Sequence, residues 1–366
     1  MTVYSVRNVG VFNGETIERP TQLCFQGSPG NILPKDTEAR DDIDGTNCTL
    51  LPGFIDSKID GGASLLILQQ SAAFGVTTVI DSSSGTAESL AMRTTSSQNV
   101  GMPSYLASGT AVGSGDFDES EMLKIFPYRA IRHISTLAEA VSFVDGHSTE
   151  PGKLDFVKVI VDIPGLDSDT LSALVEAAHQ RGILAIAHAS QAGSYRRVLD
   201  AGFDVVNPAP ITGTLDEDVI RGFADKQIAV IPTLCYLRRL LRQGSIQEHN
   251  FTCAFEAVRA LHKAGVPICA GTSANNEEGF KVRFGEALHE ELQLLAQAGL
   301  SNLEAIQAAT SVPSTIFKLS DRGALRLGRR ADLVLVQGNP LEDLAASARI
   351  IKVWIQGIEV GGEGAA

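Results

Sequence analysis

The middle of this chain alternates short apolar runs with segments of helical spacing. The runs fall near 50–55, 77–81, 104–109, 156–161, 183–188, 204–208, 228–233 and 267–272. Each is rich in Val, Ile, Leu or Ala, as a buried strand requires. SDTLSALVEAAHQRGI is the clearest helix, with Ser168 placed to cap its start and Gly182 to stop it. Strands alternating with helices predict successive βα units, hence an α/β fold with a closed (β/α)8 TIM barrel. An open doubly wound sheet would want a G-x-G-x-x-G turn after its first strand, and none is present.

The ends have another texture. Residues 3–28 read as short strands, with Asn13-Gly14 as a tight turn between two of them. ADLVLVQG and IIKVWIQGIEV are β-rich again. The two ends together predict a small β-sandwich of residues 1–51 plus 322–366, set on a barrel of residues 52–321. The connection over 110–135 is unusually long and carries Phe117, Phe126, Tyr128, Arg129 and Arg132. It suits either a loop packed on the barrel rim or a lid over a substrate.

Composition narrows the partners. The chain has 366 residues, 44% of them hydrophobic and 20% charged, which suits a globular fold. A net charge of -13 with no basic cluster argues against nucleic acid and against an anionic membrane surface. A small-molecule substrate is the expected partner, with a homo-oligomer left open. Cys24, Cys48, Cys235, Cys253 and Cys269 are widely spaced and odd in number, so reduced thiols and a cytoplasmic location are expected. MTVYSVRNVGVFNGE lacks the basic start and apolar stretch of a signal peptide. No apolar run reaches the roughly 20 residues that span a bilayer.

LLPGFIDSKID resembles the LPGFID-x-H-x-H motif of the amidohydrolase superfamily, nearest its imidazolonepropionase-like and prolidase-like branch. The resemblance continues through GVTTVID, DFVKVIVD, ILAIAHAS and GVPICAGTSANNE, and on to DRGALRLGRRADLVLVQGNPLEDL. It implies two divalent metals at the C-terminal mouth of a barrel. Their ligands would be two His of H-x-H, a carboxylated Lys at strand four, His at strands five and six, and Asp at strand eight. Such ions polarise the scissile carbonyl and acidify a bound water. Carried over residue by residue, the ligand set is altered here. The H-x-H positions hold Lys58 and Asp60, the strand-six position holds Pro208 beside Asn207, and the strand-eight position holds Ser273. Lys158 and His188 keep theirs.

Three readings follow. In the first, the site has no cofactor, and Lys58, Asp60, Lys158 and His188 form a coupled acid–base set. Such a set suits cyclisation, isomerisation, elimination or decarboxylation of a small organic molecule, the work of a lyase or isomerase. In the second, Asp60, carboxylated Lys158 and His188 hold one divalent metal for hydrolysis of a C–N or similar bond. In the third, the protein does not catalyse: the pocket binds or the surface makes oligomer contacts, and Lys58–Asp60 or Asp60–Lys158 is an ion pair filling a vacated site. Ser273, Tyr236, Arg238, Asn207 and Asn275 are the expected substrate contacts, at the mouth ends of strands. Asp81, which ends the second strand, is expected to cap the following helix. His289 and Trp354 read as structural.

Overall fold

The computed structural model describes residues 2–116, 131–148 and 153–362. Five strands open the chain: β1 (Val3–Phe12), β2 (Ile17–Gln26), β3 (Ile32–Leu33), β4 (Asp41–Asp44) and β5 (Cys48–Pro52). β1 and β2 are antiparallel. Asn13 turns the chain between them, its Oδ1 accepting the amides of Glu15 at 3.0 Å and Thr16 at 2.9 Å. Gly14 takes φ 106°, which costs a residue without Cβ little. The turn therefore stands where Asn13-Gly14 predicts it.

The middle is a mixed α/β unit whose strands run parallel. β6 (Phe54–Ile59), β7 (Val76–Asp81) and β8 (Ser104–Ala107) make one sheet. β9 (Ala111–Gly113), β10 (Ile131–His133), β11 (Phe156–Ile160), β12 (Leu184–His188), β13 (Val205–Asn207) and β14 (Ala229–Val230) make another, in the order β10-β9-β11-β12-β13-β14. The two sheets are stitched on one side by bridges Val230–Ile268 and Ile59–Ala274. On the other, Asp155 N donates to Ala107 O at 3.0 Å.

Three strand expectations need correction. The run at 50–55 divides at Gly53: β5 joins the terminal sheet and the interior strand starts at Phe54. A Cβ on Gly53 would collide with the Thr77 side chain, so only glycine allows this crossing. The run at 267–272 forms no strand of its own. Thr272 and Ser273 both turn their amides onto Lys58 O, at 3.0 and 2.8 Å, and Ser273 takes φ 50°. The connection over 110–135 is no plain loop, because β9 and β10 pair in parallel within it. Arg132 lies exposed on β10, while Phe117, Phe126, Tyr128 and Arg129 fall outside the described residues.

The pleat positions the chemistry. Phe156, Ile186, Val205 and Ala229 share one buried cluster with Ile55, Ile80 and Cys269. Val157, Ala185 and Val206, their neighbours in sequence, belong to the larger cluster beneath the helices. Side chains two residues apart share a face. Lys158, His188 and Asn207 therefore project to the same inner side as Phe156, Ile186 and Val205, one step nearer the C-terminal ends. β6 departs from this rule. Its register against β7 shifts between Asp56 and Ile59, and Lys58 lies within that irregularity, where a bulge re-aims side chains.

The helices surround this unit. In Ser168–Gln180 the cap is Asp167 rather than Ser168, its carboxylate accepting Thr170 N at 2.7 Å. Glu291, on Glu286–Gln297, reaches across to the start of Leu234–Arg242. It accepts the amides of Leu234 at 3.0 Å and Cys235 at 2.7 Å. These are among the helix-start donors that no turn of the helix can satisfy. Glu291→Ala leaves both buried and unpaired, with an expected loss of about 2–4 kcal/mol in urea unfolding. A loss below about 0.5 kcal/mol would show that the helix start finds other partners.

β15 (Leu333–Gln337), β16 (Ile350–Ile355) and β17 (Ile358–Gly362) complete the chain. They join the opening strands in one eight-stranded sheet, β17-β16-β15-β5-β1-β2-β3, with β4 on β1. Trp354 is buried there, its ring 5.4 Å from that of Phe25. His289 is also interior, with Nδ1 3.0 Å from Ser347 Oγ and Nε2 3.0 Å from Phe74 O. Burial pushes it down to about 4, so it serves as a neutral strut. Among the described residues, no helix is long and apolar enough to cross a membrane.

Candidate active site

Two direct pairs form the centre. Lys58 Nζ is bonded to Asp60 Oδ1, which also accepts Ser83 Oγ. Lys158 Nζ donates to Asn207 Oδ1 at 2.8 Å and to Ala187 O at 3.1 Å. Lys58 and Lys158 are both buried, Lys158 completely. Burial, reinforced by the Lys58 ammonium, holds the Lys158 amine well below its ordinary value, against the pull of Asp60 and Asp162. The direction of that shift favours the uncharged amine.

His188 lies at the end of β12, buried, with Nε2 3.4 Å from Asp162 Oδ2. Burial lowers its pKa, and Lys158 and Lys58 add to the shift while Asp162 opposes it. Asp162 is the anchor of this side. Burial raises its carboxyl, but His188, Ser190 and Ser194 together outweigh that and hold it below the usual value. Ser190 donates to it from N at 2.8 Å and from Oγ at 2.5 Å, and Gln191 N adds a bond at 3.2 Å.

The remaining expected residues divide. Tyr236 is buried, and its hydroxyl is raised by burial and by the charges of Asp60 and Glu277, which places it in the same field. Ser273 is held to Lys58 through its amide, and its carbonyl accepts Asn275 Nδ2 at 2.8 Å. Asn275 Oδ1 is spent on Glu277 N at 3.0 Å, so Asn275 shapes its own turn. Arg238 is engaged by Glu290, with Nε at 2.8 Å from Oε1. Pro208 O accepts Tyr195 OH at 2.7 Å. Asp81 caps no helix. It gathers Gly61 N, Ser84 Oγ and Tyr105 OH, and the helix Thr86–Gln98 starts from Gly85 instead.

Asp162, Asp56 and Ser83 were not singled out from the sequence. Asp162 had a signal, since it closes DFVKVIVD just past a strand end. Asp56 is buried beneath Lys58 and accepts Thr272 Oγ1 at 2.6 Å and Thr272 N at 3.0 Å. Burial pushes it up to about 7, against those bonds. A carboxyl raised on folding from an ordinary 3.8 costs nothing below about pH 4. Its cost grows as pH rises from about 4 to 7 and is then constant. Wild type is therefore expected to lose about 2–4 kcal/mol relative to Asp56→Asn across that window. Urea unfolding of both proteins from pH 4 to 8 checks this, and a constant difference would mean that Asp56 is ionised throughout.

Residues 157–360 match the amidohydrolase family model. The chain belongs to the amidohydrolase family. Adenine deaminase 2 of Desulfotalea psychrophila (strain LSv54 / DSM 12343) is 31% identical over 125 residues, 34% of this chain and 20% of that protein. The match thus spans about a fifth of the length of that curated relative. A Xaa-Pro dipeptidase with bound methionine has a TM-score of 0.82 at 17% identity, covering 98% of this chain and 99% of its own. An ochratoxinase of A. niger has 0.81 at 19%, covering 99% and 96%. Molinate hydrolase has 0.80 at 18%, covering 98% and 94%. At these identities the structures establish a shared fold.

Membership overturns the expectation of a cofactor-free site, because members of this family are typically metal-dependent. The alternative expectation of one metal is compatible with that membership. Among the described residues, no three His, Cys, Asp or Glu side chains stand together as a metal site. Asp60 and His188 supply two donors, and a third requires a carboxylate on Lys158. The lowered amine of Lys158 suits that conversion, which adds CO2 and releases a proton. Asp60 Oδ2 has no hydrogen-bond partner among the described residues, and its side chain is 19% exposed.

Proposed function

We propose that this amidohydrolase is a hydrolase of a C–N or similar bond in a small organic substrate, using one divalent metal at Asp60, His188 and carboxylated Lys158. The fully buried Lys158, hydrogen-bonded to Asn207 Oδ1 and Ala187 O in a setting that lowers its amine below the ordinary value, carries this reading. The reading takes the two parallel sheets as one (β/α)8 barrel of residues 52–321, with the terminal strands as a separate unit. When bound, the ion supplies a polarised carbonyl and an acidified water. Asp162 orients His188, as a buried carboxylate does for a ligating imidazole. Lys58 has a second task besides holding Asp60. Its ammonium provides positive charge at a position where relatives of this family carry a ligand, and so steadies the substrate oxygen as charge develops on it. Tyr236, in the field of Asp60, is positioned to contact the substrate.

A panel of N-acyl amino acids and dipeptides, incubated with zinc and bicarbonate, tests the activity through amine release. Wild type should turn over at least one member, and Asp60→Asn should fall to below about 1% of that rate. No release from any member at full metal loading would sink the reading.

A further inference from the structure

A second cavity, of about 190 Å3, opens between the helix Leu234–Arg242 and the start of Glu286–Gln297. Arg239, Arg242, Lys281 and Arg283 line it, together with Glu286 and Glu290. Both glutamates are already matched. Glu286 takes Arg283 at 2.9 Å, and Glu290 takes Arg238, which lies outside the lining. Among the described residues, Arg239, Arg242 and Lys281 have no carboxylate partner. Three unmatched cations thus face one concavity in a chain of net charge -13. Like charges held together around a cavity repel one another, and an anion between them relieves that repulsion. We propose that this cavity is a binding site for a small oxyanion, a phosphate group or a pair of carboxylates.

The size agrees. At about 30 Å3 per water, the cavity has room for roughly six, enough for a tetrahedral oxyanion or a short dicarboxylate. Its donors suit the same chemistry, since guanidinium groups meet two oxygens of one anion side by side. The wall is shared with the candidate active site. Val282 lines the cavity and pairs its backbone with Asn275, whose amide holds Ser273 O. Cys235, at the inner end, places Sγ 3.3 Å from Thr272 O. An anion seated here would thus brace the segment Ser273–Arg283, which runs from one site to the other.

Calorimetric titration with inorganic phosphate and, separately, with malonate tests the proposal at low ionic strength. Wild type should bind one equivalent of at least one of them. The double variant Arg242→Gln/Lys281→Gln should bind at least tenfold more weakly, with an unchanged melting curve. Arg221→Gln, an exposed arginine outside the lining, should bind as wild type does. Saturation by phosphate alone assigns a phosphate site, and by malonate alone a dicarboxylate site. No saturable binding of either, or equal binding by the double variant, overturns the proposal. Both readouts are independent of hydrolysis and of metal.

Discussion

In bicarbonate buffer the chain is expected to take up one equivalent of zinc, and Lys158→Met to take up almost none. Two of the three donors are ordinary side chains. The third exists only after Lys158 adds CO2, which requires an uncharged amine, the form that burial favours. Removing even a group that merely orients a ligand costs about 10–100-fold in affinity, so losing a ligand outright should cost more than about 100-fold. Removal of CO2 should lower uptake by wild type in the same direction. Lys58→Met separates the roles. It releases Asp60 from its ion pair, so zinc should bind as well or more tightly, while turnover falls. Metal analysis by mass spectrometry, with labelled bicarbonate to detect the carbamate, measures each. Equal zinc affinity in wild type and Lys158→Met would refute the ligand assignment.

The second large effect is on stability. Asp162→Ala should destabilise the fold by about 3–5 kcal/mol, because it strips a buried anion from donors that cannot reach water. Ser190 N, Ser190 Oγ and Gln191 N all lose their acceptor. The sign with pH follows from the lowered carboxyl. The contribution is complete above the ordinary value of 3.8 and disappears as pH falls through the lower folded value. Wild type and Asp162→Ala should therefore converge in strong acid. Urea unfolding at pH 7 and near pH 2 measures both, and a loss under about 1 kcal/mol at pH 7 would show that Ser190 and Gln191 find other partners.

These two residues show what the sequence made legible. Runs such as FVKVI and LAIAH announce strands as short apolar stretches, and their period of two places Lys158 and His188 on one inner face. The family motifs add the order of the strand ends. Pairings are harder to read. Lys158 meets Asn207 across 49 residues, and nothing in either segment names the other. The segment at 267–272 has the apolar look of a strand, yet Asp56 and Lys58 O claim its amides and Ser273 turns left-handed. The expectation of no cofactor, drawn from the changed ligand positions, is overturned by membership of a family that typically depends on metal.

The sheet built from both ends has a consequence during synthesis. β5 is complete at Pro52, but β15, which pairs along it, begins only at Leu333. At about 5–20 residues per second, that partner is made roughly 14–56 s later. For all that time one edge of β5 lacks the strand that will cover it, while the central α/β unit is already emerging. An unpaired edge invites pairing with other nascent chains. Slower translation between these segments should therefore lower the yield of folded protein more than slower translation after β17.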